Sequence, residues 1–414
     1  MSVLTNLTSR IELRFFRIRR TVLRWILLPI TIPAAAALSL FATKRPILIM
    51  PMNTSRVGHL GIDVEYALSE LDSSPIQARP RLLIVPVRVD LKVANRALVK
   101  SWKHSVRWIP QGLGEPLIWL LSSNSRTRNL VYLPPKKIAG RFDWGGDPFG
   151  FTATGAAHLQ IPAKQRQAAR HSLEQMGLDP TRPYVCLHVR DNRYHRVHSG
   201  SLWKEPHKWR NIYPGLFSLA AQSIARQGYQ VVRLGVNVEE MLPGADEREI
   251  FDYATNGFRS ELSDVVLVSD CAFMISTSSG IDSLAQTFRK PLYNVGVIAP
   301  SQLYIHRNVF SIIQRFREMK TGRLLSLKDS LAISKISDAS LAAMGLLAVS
   351  NTAEEIADLA IEADQRFRGV WSPTDDDIDL KRRFLALLQS EFRRFSIRGG
   401  IGTSFLRKHR DWLD

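Results

Sequence analysis

Cysteine is almost missing from this chain: two residues in 414, Cys186 and Cys271, each inside an apolar run and neither part of a Cys-x-x-Cys pair. That argues against a disulfide framework and a thiolate metal site. It leaves both thiols as small core residues of a protein from a reducing compartment. No low-complexity tract and no solenoid repeat is present, so the chain is neither a disordered linker nor a stacked array. His188, His195, His198 and His207 crowd one stretch. They lack a His-Glu-x-x-His pattern and carry loop spacing, which argues against zinc chemistry. Gly399-Gly400-Ile401-Gly402 has no Lys-Ser/Thr after it, so it is a turn rather than a P-loop. Ser278 stands outside any Gly-x-Ser-x-Gly elbow. Trp102, Trp108, Trp119, Trp144, Trp203 and Trp209 are scattered rather than interleaved with basic residues in one tract, which argues against base stacking on nucleic acid.

Acidic residues are also short. Against 56 Lys and Arg stand 38 Asp and Glu, a net charge of +18. Such an excess implies an acidic partner: anionic lipid, nucleic acid or a phosphorylated small molecule. Part of it is local. Arg10, Arg14, Arg17, Arg19, Arg20 and Arg24 face a single acid, Glu12. An apolar stretch follows from Trp25 to Ala42, interrupted by Pro29 and Pro33 and closed by Lys44-Arg45. Its length suits a bilayer core if helical. A secretory signal, a spanning anchor and an interfacial helix all fit. The prolines and the basic residues on both sides favour an interfacial or re-entrant anchor over a soluble core helix, and the positive-inside rule puts the arginines in the cytoplasm.

Beyond residue 46 the pattern alternates strand and helix. Strands are expected at Ile47–Met52, Arg81–Val87 and Leu130–Leu133, with helices at Ile62–Leu71, Arg96–Trp102 and Pro116–Leu121. Asn53–Gly61 reads as a turn and Gly140–Ala156 as a loop. A second series begins after the helix Lys164–Met176. It has strands at Tyr184–Val189, Gln230–Leu234, Ala272–Ile275 and Leu292–Val297, and helices at Pro214–Gln227, Glu261–Ser269 and Ile281–Phe288. Pro300–Ala332 reads as a crossing region. Thr352-x-x-Glu355 is a capping box that opens a helix to about Arg368. A basic amphipathic helix at Leu380–Phe395 suits a lipid surface or a solvated face. Alternation of this kind predicts an α/β protein with two doubly wound domains, whose ligands lie at the carboxyl ends of the strands. The divisions are 1–45 (membrane-associated segment), 46–165, 166–350, and 351–414 (C-terminal helices).

The most informative stretch is Ala272–Val297: strand, small polar turn Ser276-Thr277-Ser278-Ser279-Gly280, helix, and a second strand after Lys290-Pro291. Free backbone N–H groups and hydroxyls at such a helix start favour a phosphate, although Ser and Thr also serve there as ordinary caps. Two further strand ends carry charge: His188-Val189-Arg190-Asp191, and Arg233 before Gly235. Two guanidinium groups facing the turn would suit a diphosphate. The competing assignments are ion pairs of Arg190 with Asp191, and of Arg233 with Glu239 or Glu240. In the first domain, His59 of Gly58-His59-Leu60-Gly61 is a candidate general base, or else a helix-capping residue in a glycine-permitted turn. Asp63 and Glu65 are expected on a solvated helix face.

The runs YVCLHVRDNRYH, WRNIYPGLFSLA, GYQVVRLG and STSSG resemble, in order and spacing, a family of bacterial glycosyltransferases. The pattern falls on His188, Arg190, Asp191, Tyr194, Arg210, Asn211, Tyr213, Arg233, Gly235, Ser278, Ser279 and Gly280. Further matches at Gly58-His59-Leu60, Thr352–Ile356 and Phe405–Leu406 extend it over most of residues 46–410. The His-x-Arg element is similar to that of fucosyltransferases, whose arginine meets the nucleotide diphosphate. SSGxxxLAxxFxKP is similar to the donor-site turn of heptosyltransferases. The resemblance implies a GT-B-like pair of Rossmann-like domains, with the acceptor toward the first and a nucleotide-sugar donor in the second. His188, Arg190, Asp191, Tyr194, Arg210, Asn211, Arg233, Gly235 and Thr277 to Gly280 would bind the donor, and His59 would act as base. It implies no cofactor and no metal. The acceptor would be a glycan or lipid-linked molecule of surface polysaccharide synthesis, handled at the cytoplasmic face of the inner membrane against anionic lipid, with no nucleic acid. A non-catalytic protein that binds anionic lipid or nucleic acid through its charge is the other reading.

Overall fold

A computed structural model describes residues 26, 29–37, 47–73, 80–87, 93–123, 125, 127–133, 152, 155–191, 193–194, 197, 208–245, 249–298, 308–333, 337–391 and 399–414. The arginine-rich N-terminus, most of the expected loop at 140–156, and His195, His198 and His207 lie outside these residues.

In chain order the elements are β1 (Ile47–Asn53), α1 (Val57–Asp72), β2 (Arg81–Val87), α2 (Arg96–Trp102), β3 (Arg107–Trp108), α3 (Gln111–Ser123) and α4 (Ala163–Gln175). There follow β4 (Tyr184–His188), α5 (Ser218–Arg226), β5 (Gln230–Leu234), β6 (Ile250–Phe251), α6 (Glu261–Asp270), β7 (Met274–Ser276), α7 (Asp282–Thr287), β8 (Leu292–Val297) and β9 (Val309–Ile313). The chain ends with β10 (Arg315–Glu318), α8 (Leu327–Leu331), α9 (Asp338–Ala343), β11 (Leu346–Val349), α10 (Ala353–Phe367), α11 (Asp375–Glu391), β12 (Gly400–Ile401) and α12 (Thr403–Lys408).

The protein is α/β with parallel sheets. The first sheet has the order β1-β2-β3, all parallel, and the expected strand at Leu130–Leu133 survives only as a bridge from Val131 to Ile49. The strands alternate faces: Met50 and Met52 pack toward α1, while Ile49 and Val85 pack toward Leu117 and Leu121 of α3. The second sheet has seven parallel strands in the order β12-β9-β8-β7-β4-β5-β6. The chain moves outward from β4 to β5 and β6. It then returns to place β7 on the other side of β4 and moves outward again through β8 and β9. The reversal puts the topological switch point between β4 and β7, where doubly wound sheets open a crevice for ligands.

The crossing region expected at Pro300–Ala332 contains two strands instead. Val309–Ile313 joins the sheet, and Arg315–Glu318 pairs antiparallel with β11. The capping box is formed as expected, with Thr352 and Glu355 exchanging side-chain and backbone hydrogen bonds. Cys186 and Cys271 are both free and buried. Among the described residues no helix is long and apolar enough to cross a membrane. In the helical segment 29–37, Ala34 and Ala35 pack on the α3 side of the first sheet. Ile26, Ile30 and Ile32 are exposed.

A single apolar cluster runs between the two sheets. Met50, Leu60 and Val64 of the first half share it with Cys186, Val232, Met274 and Leu284 of the second. Helix α1 therefore lies between β1 and α7 and is covered on two sides.

Candidate functional site

At the switch point β4 and β7 run in register, with His188 beside Ser276. The strand ends are tied together by Thr277. Its N–H donates to the His188 carbonyl (3.2 Å), and its hydroxyl accepts the Arg190 N–H (2.8 Å). The two motifs separated by almost ninety residues thus become one rim. Burial and the nearby Arg233 and Arg190 press the His188 imidazole down to about 3, so it is neutral at physiological pH.

The turn after β7 is tightly built. Ser278 has a left-handed backbone, φ 51°, unusual for a residue with a Cβ. Its hydroxyl is buried without a hydrogen-bond partner. Asp282, fully buried at the start of α7, accepts from the Ser276 hydroxyl and the Ser279 N–H (3.0 Å). Desolvation pushes the Asp282 carboxyl up to about 7, held back by those hydrogen bonds and by Arg210. This modifies the expected anion site, because one of the helix-start N–H groups already serves Asp282. The backbone N–H groups of Ser278, Gly280 and Ile281 have no partner among the described residues. An anion placed there would meet these donors together with a carboxyl able to hold a proton.

Two arginines flank the turn, and they are Arg190 and Arg210. Arg190, 8 % exposed, donates through Nη1 to Asn211 Oδ1 (3.0 Å). Arg210 donates through Nη2 to the Ser278 carbonyl. Asp191 accepts N–H bonds from Arg193 (2.9 Å) and Glu239 (2.9 Å) and so shapes the loop after β4. Burial raises the Tyr194 hydroxyl pKa, and the Arg259 and Arg56 cations oppose it.

Arg233 does not join this group. Strand register sets it beside Leu187, on the face of the sheet opposite His188. Fully buried there, it binds the Asp252 carboxylate (3.0 Å) and the Glu240 carbonyl (2.8 Å) through Nη1. Neither expected partner carboxylate, Glu239 or Glu240, makes the pair. Gly235, next to it, is a packing residue, since a Cβ there would come within 2.5 Å of Val238. Arg233 Nε and Nη2 are buried without a hydrogen-bond partner, so Asp252 and Glu240 occupy one of its three nitrogens.

The first sheet meets the rim through α1. The helix begins at Val57, so Gly58, His59 and Gly61 lie within it and do not form a turn. His59 Nδ1 lies 3.1 Å from Asp63 Oδ2, and the ring is about one-third exposed. With Nδ1 donating to Asp63, Nε2 is left as an acceptor, the arrangement a general base requires. Gly58 touches Gly280, so His59 stands next to the turn that carries the free N–H groups. Asp63 and Glu65 do not form a solvated face. Asp63 is buried against His59. Glu65, fully buried, receives Arg289 (2.6 Å) and His158 (3.1 Å), and His158 also reaches Asp72 (2.9 Å). Arg289 thereby holds α1 to the turn after α7, and His158 holds it to the segment before α4.

The sequence reading passed over Asp282. The available signal was an acid three residues after Ser279, the spacing at which a side chain turns back to cap the start of its own helix. Among the described residues no cluster of three or more His, Cys, Asp or Glu could hold a metal ion.

No family model and no curated protein matches the chain. Among solved structures it is similar to a glycosyl transferase family 9 protein from Veillonella parvula, with TM-score 0.42 and 14 % identity over 64 % of this chain and 85 % of the other. It is also similar to E. coli ADP-heptose LPS heptosyltransferase II (0.36, 15 %, 77 % and 100 %). A third is the iron-containing dodecameric glycosyltransferase TibC of enterotoxigenic E. coli (0.34, 14 %, 79 % and 77 %). Superpositions this loose establish neither a common fold nor a common activity.

Proposed function

We propose that the chain is a glycosyltransferase that takes a sugar from a nucleotide-sugar donor, with GT-B-like placement of donor on the second sheet and acceptor toward the first. One observation carries this reading. At the switch point, Arg190 is tied to the turn through Thr277, and that turn, with the unpartnered N–H groups of Ser278, Gly280 and Ile281, packs on Gly58, the residue before His59 of the His59–Asp63 pair. The first set suits a diphosphate and would offset its charge as it leaves. The second suits removal of a proton from an attacking hydroxyl. Arg210 and Asn211 orient the turn and Arg190, and the reaction as proposed uses no metal. The acceptor would be a glycan or lipid-linked molecule of bacterial surface polysaccharide synthesis.

A thermal-shift comparison of UDP, GDP, ADP and CMP tests the donor site, because a ligand of the native state raises its midpoint by mass action. One nucleotide should shift the wild type and not Arg190→Ala. No shift with any of them, together with a strongly salt-dependent shift by polyanions, would favour the charge-driven binding protein that the +18 balance also allows.

The same reading sets the protein on the cytoplasmic face of the inner membrane, peripheral or monotopic. Exposed Ile26, Ile30 and Ile32 beside Ala34 and Ala35 packed on the first sheet support it, as does the arginine-rich stretch before them. The full chain should float with anionic vesicles and not with zwitterionic ones. Equal recovery with both would count against it.

A further inference from the structure

Four neighbouring strands of the second sheet change character at the same level. On the face toward the first sheet, Cys186, Met274, Leu292 and Val309 belong to the apolar cluster. Two residues further along each strand, on the same face, stand His188, Ser276, Asn294 and Ser311, aligned by register across β4, β7, β8 and β9. At a strand spacing of about 4.8 Å the row is roughly 14 Å long. It begins at the rim described above and runs away from it.

Three of the four are fully buried, His188 is partly buried, and all but Ser276, whose hydroxyl donates to Asp282, carry polar atoms without partners. Ser276 and Asn294 are 0 % exposed and Ser311 is 1 % exposed. Both amide atoms of Asn294, the Ser311 hydroxyl and His188 Nδ1 have no hydrogen-bond partner. Buried polar atoms without partners are uncommon in native proteins, and each one destabilises the fold that holds it. Several in one line, where the apolar face stops, indicate groups kept ready for a ligand.

The chemistry of the row narrows that ligand. Its members are two hydroxyls, an amide and a neutral imidazole, so it offers donors and acceptors without charge. It has no aromatic face on which a base could stack: Tyr293 and Phe310, the nearby aromatics, stack on each other and point to the other side of the sheet. A polyhydroxylated, uncharged group fits both features, because each sugar hydroxyl donates and accepts. We propose that Asn294, flanked by Ser276 and Ser311, binds hydroxyls of the sugar being transferred. This rests on the reading of the adjacent turn as the diphosphate site.

Asn294→Leu and Ser311→Ala test it in two ways. Without ligand, both variants should melt at or above the wild-type midpoint, since the groups removed make no bonds within the protein. A fall in both would show that they have internal partners and would overturn the inference. With ligand, affinities are compared for UDP, GDP and ADP and for UDP-glucose, GDP-mannose and ADP-glucose. Asn294→Leu should lose about tenfold on a conjugate that wild type binds more tightly than the parent nucleotide, with the parent unchanged. Equal losses on both, or no loss on either, would overturn the sugar assignment. So would a wild type that gains nothing from any attached sugar. A wild type that binds none of the six would overturn the donor site itself, an outcome distinct from the others.

Discussion

Gly58 of α1 and Gly280 of the turn after β7 face each other so closely that a Cβ on Gly58 would stand 3.2 Å from the Gly280 Cα. A Cβ on Gly280 would in turn meet Val57 and the Gly58 nitrogen at 3.2 and 3.3 Å. Backbone meets backbone here, so neither side can yield by changing a rotamer.

Alanine at Gly58 should therefore push α1 off the turn. The expected cost is about 1–3 kcal/mol of stability, as for an overpacked core position. Nucleotide affinity should fall together with the melting midpoint, because the turn itself moves. A Gly58→Ala protein with wild-type midpoint and wild-type affinity would show that the two helices are not in contact in solution.

The two conspicuous arginines should separate cleanly. Arg190→Ala is expected to weaken nucleoside diphosphate binding by about 1.5–3 kcal/mol with little change in stability. Arg233→Met should do the reverse. It leaves the Asp252 carboxylate buried without its cation, a loss of about 3–5 kcal/mol of stability, while the folded remainder binds nucleotide normally. Calorimetric titration and denaturant melts on both variants decide it, and a selective nucleotide defect in Arg233→Met would return that residue to the donor site.

His59→Ala should lower the turnover of sugar transfer by about a hundredfold to ten-thousandfold, the usual range for a general base, and leave nucleotide affinity in place. Asp63→Asn should lower turnover by less, since it disturbs only the ring that Asp63 orients. Transfer that proceeds at the wild-type rate without the imidazole would remove His59 from the chemistry.

Asp282 makes donor binding depend on pH. Its carboxyl, raised to about 7 in the fold, is half protonated near neutrality. A diphosphate on the neighbouring N–H groups would raise it further, so binding takes up a proton and weakens as pH rises above 7. The same group also contributes to folding in one direction. Because the folded value exceeds the unfolded one, its stabilisation is complete below about 4 and is lost as pH rises through 7. In Asp282→Asn the binding slope should vanish and the stability slope should shrink, with His158, raised by Glu65, supplying the remainder, read as dissociation constants of a nucleotide sugar and as melting midpoints between about pH 6 and 9. A variant that keeps the wild-type slopes would place the titration elsewhere.

Much of the scaffold was legible before the structure. Arg81–Val87, Gln230–Leu234 and Leu292–Val297 are short apolar runs bounded by Pro or Gly, and they form strands residue for residue. Val309–Ile313 was not separable, being an apolar run of the same length set among arginines and followed at once by another strand. Strand ends also predicted where the site would be, because parallel order brings them together. What strand ends could not reveal is which partner a buried charge takes. Arg233 finds Asp252 and Glu65 finds Arg289 through contacts made only once the helices have packed, 19 and 224 residues away in sequence. Glu65 looked solvent-facing because a helix covered on two sides has no free face for its acids, a condition set by α7 and invisible in α1.

The cluster running from Met50 through Leu60 to Met274 and Leu284 also bears on how the chain can be divided. Halves cut between the two sheets would each carry one bare apolar wall, and Arg289 would lose the Glu65 carboxylate, which would keep His158. The protein is therefore not a pair of exchangeable modules. Grafting either half onto a foreign partner requires redrawing the wall as well as the loops, and expressing one alone invites self-association through the surface that the other half covers.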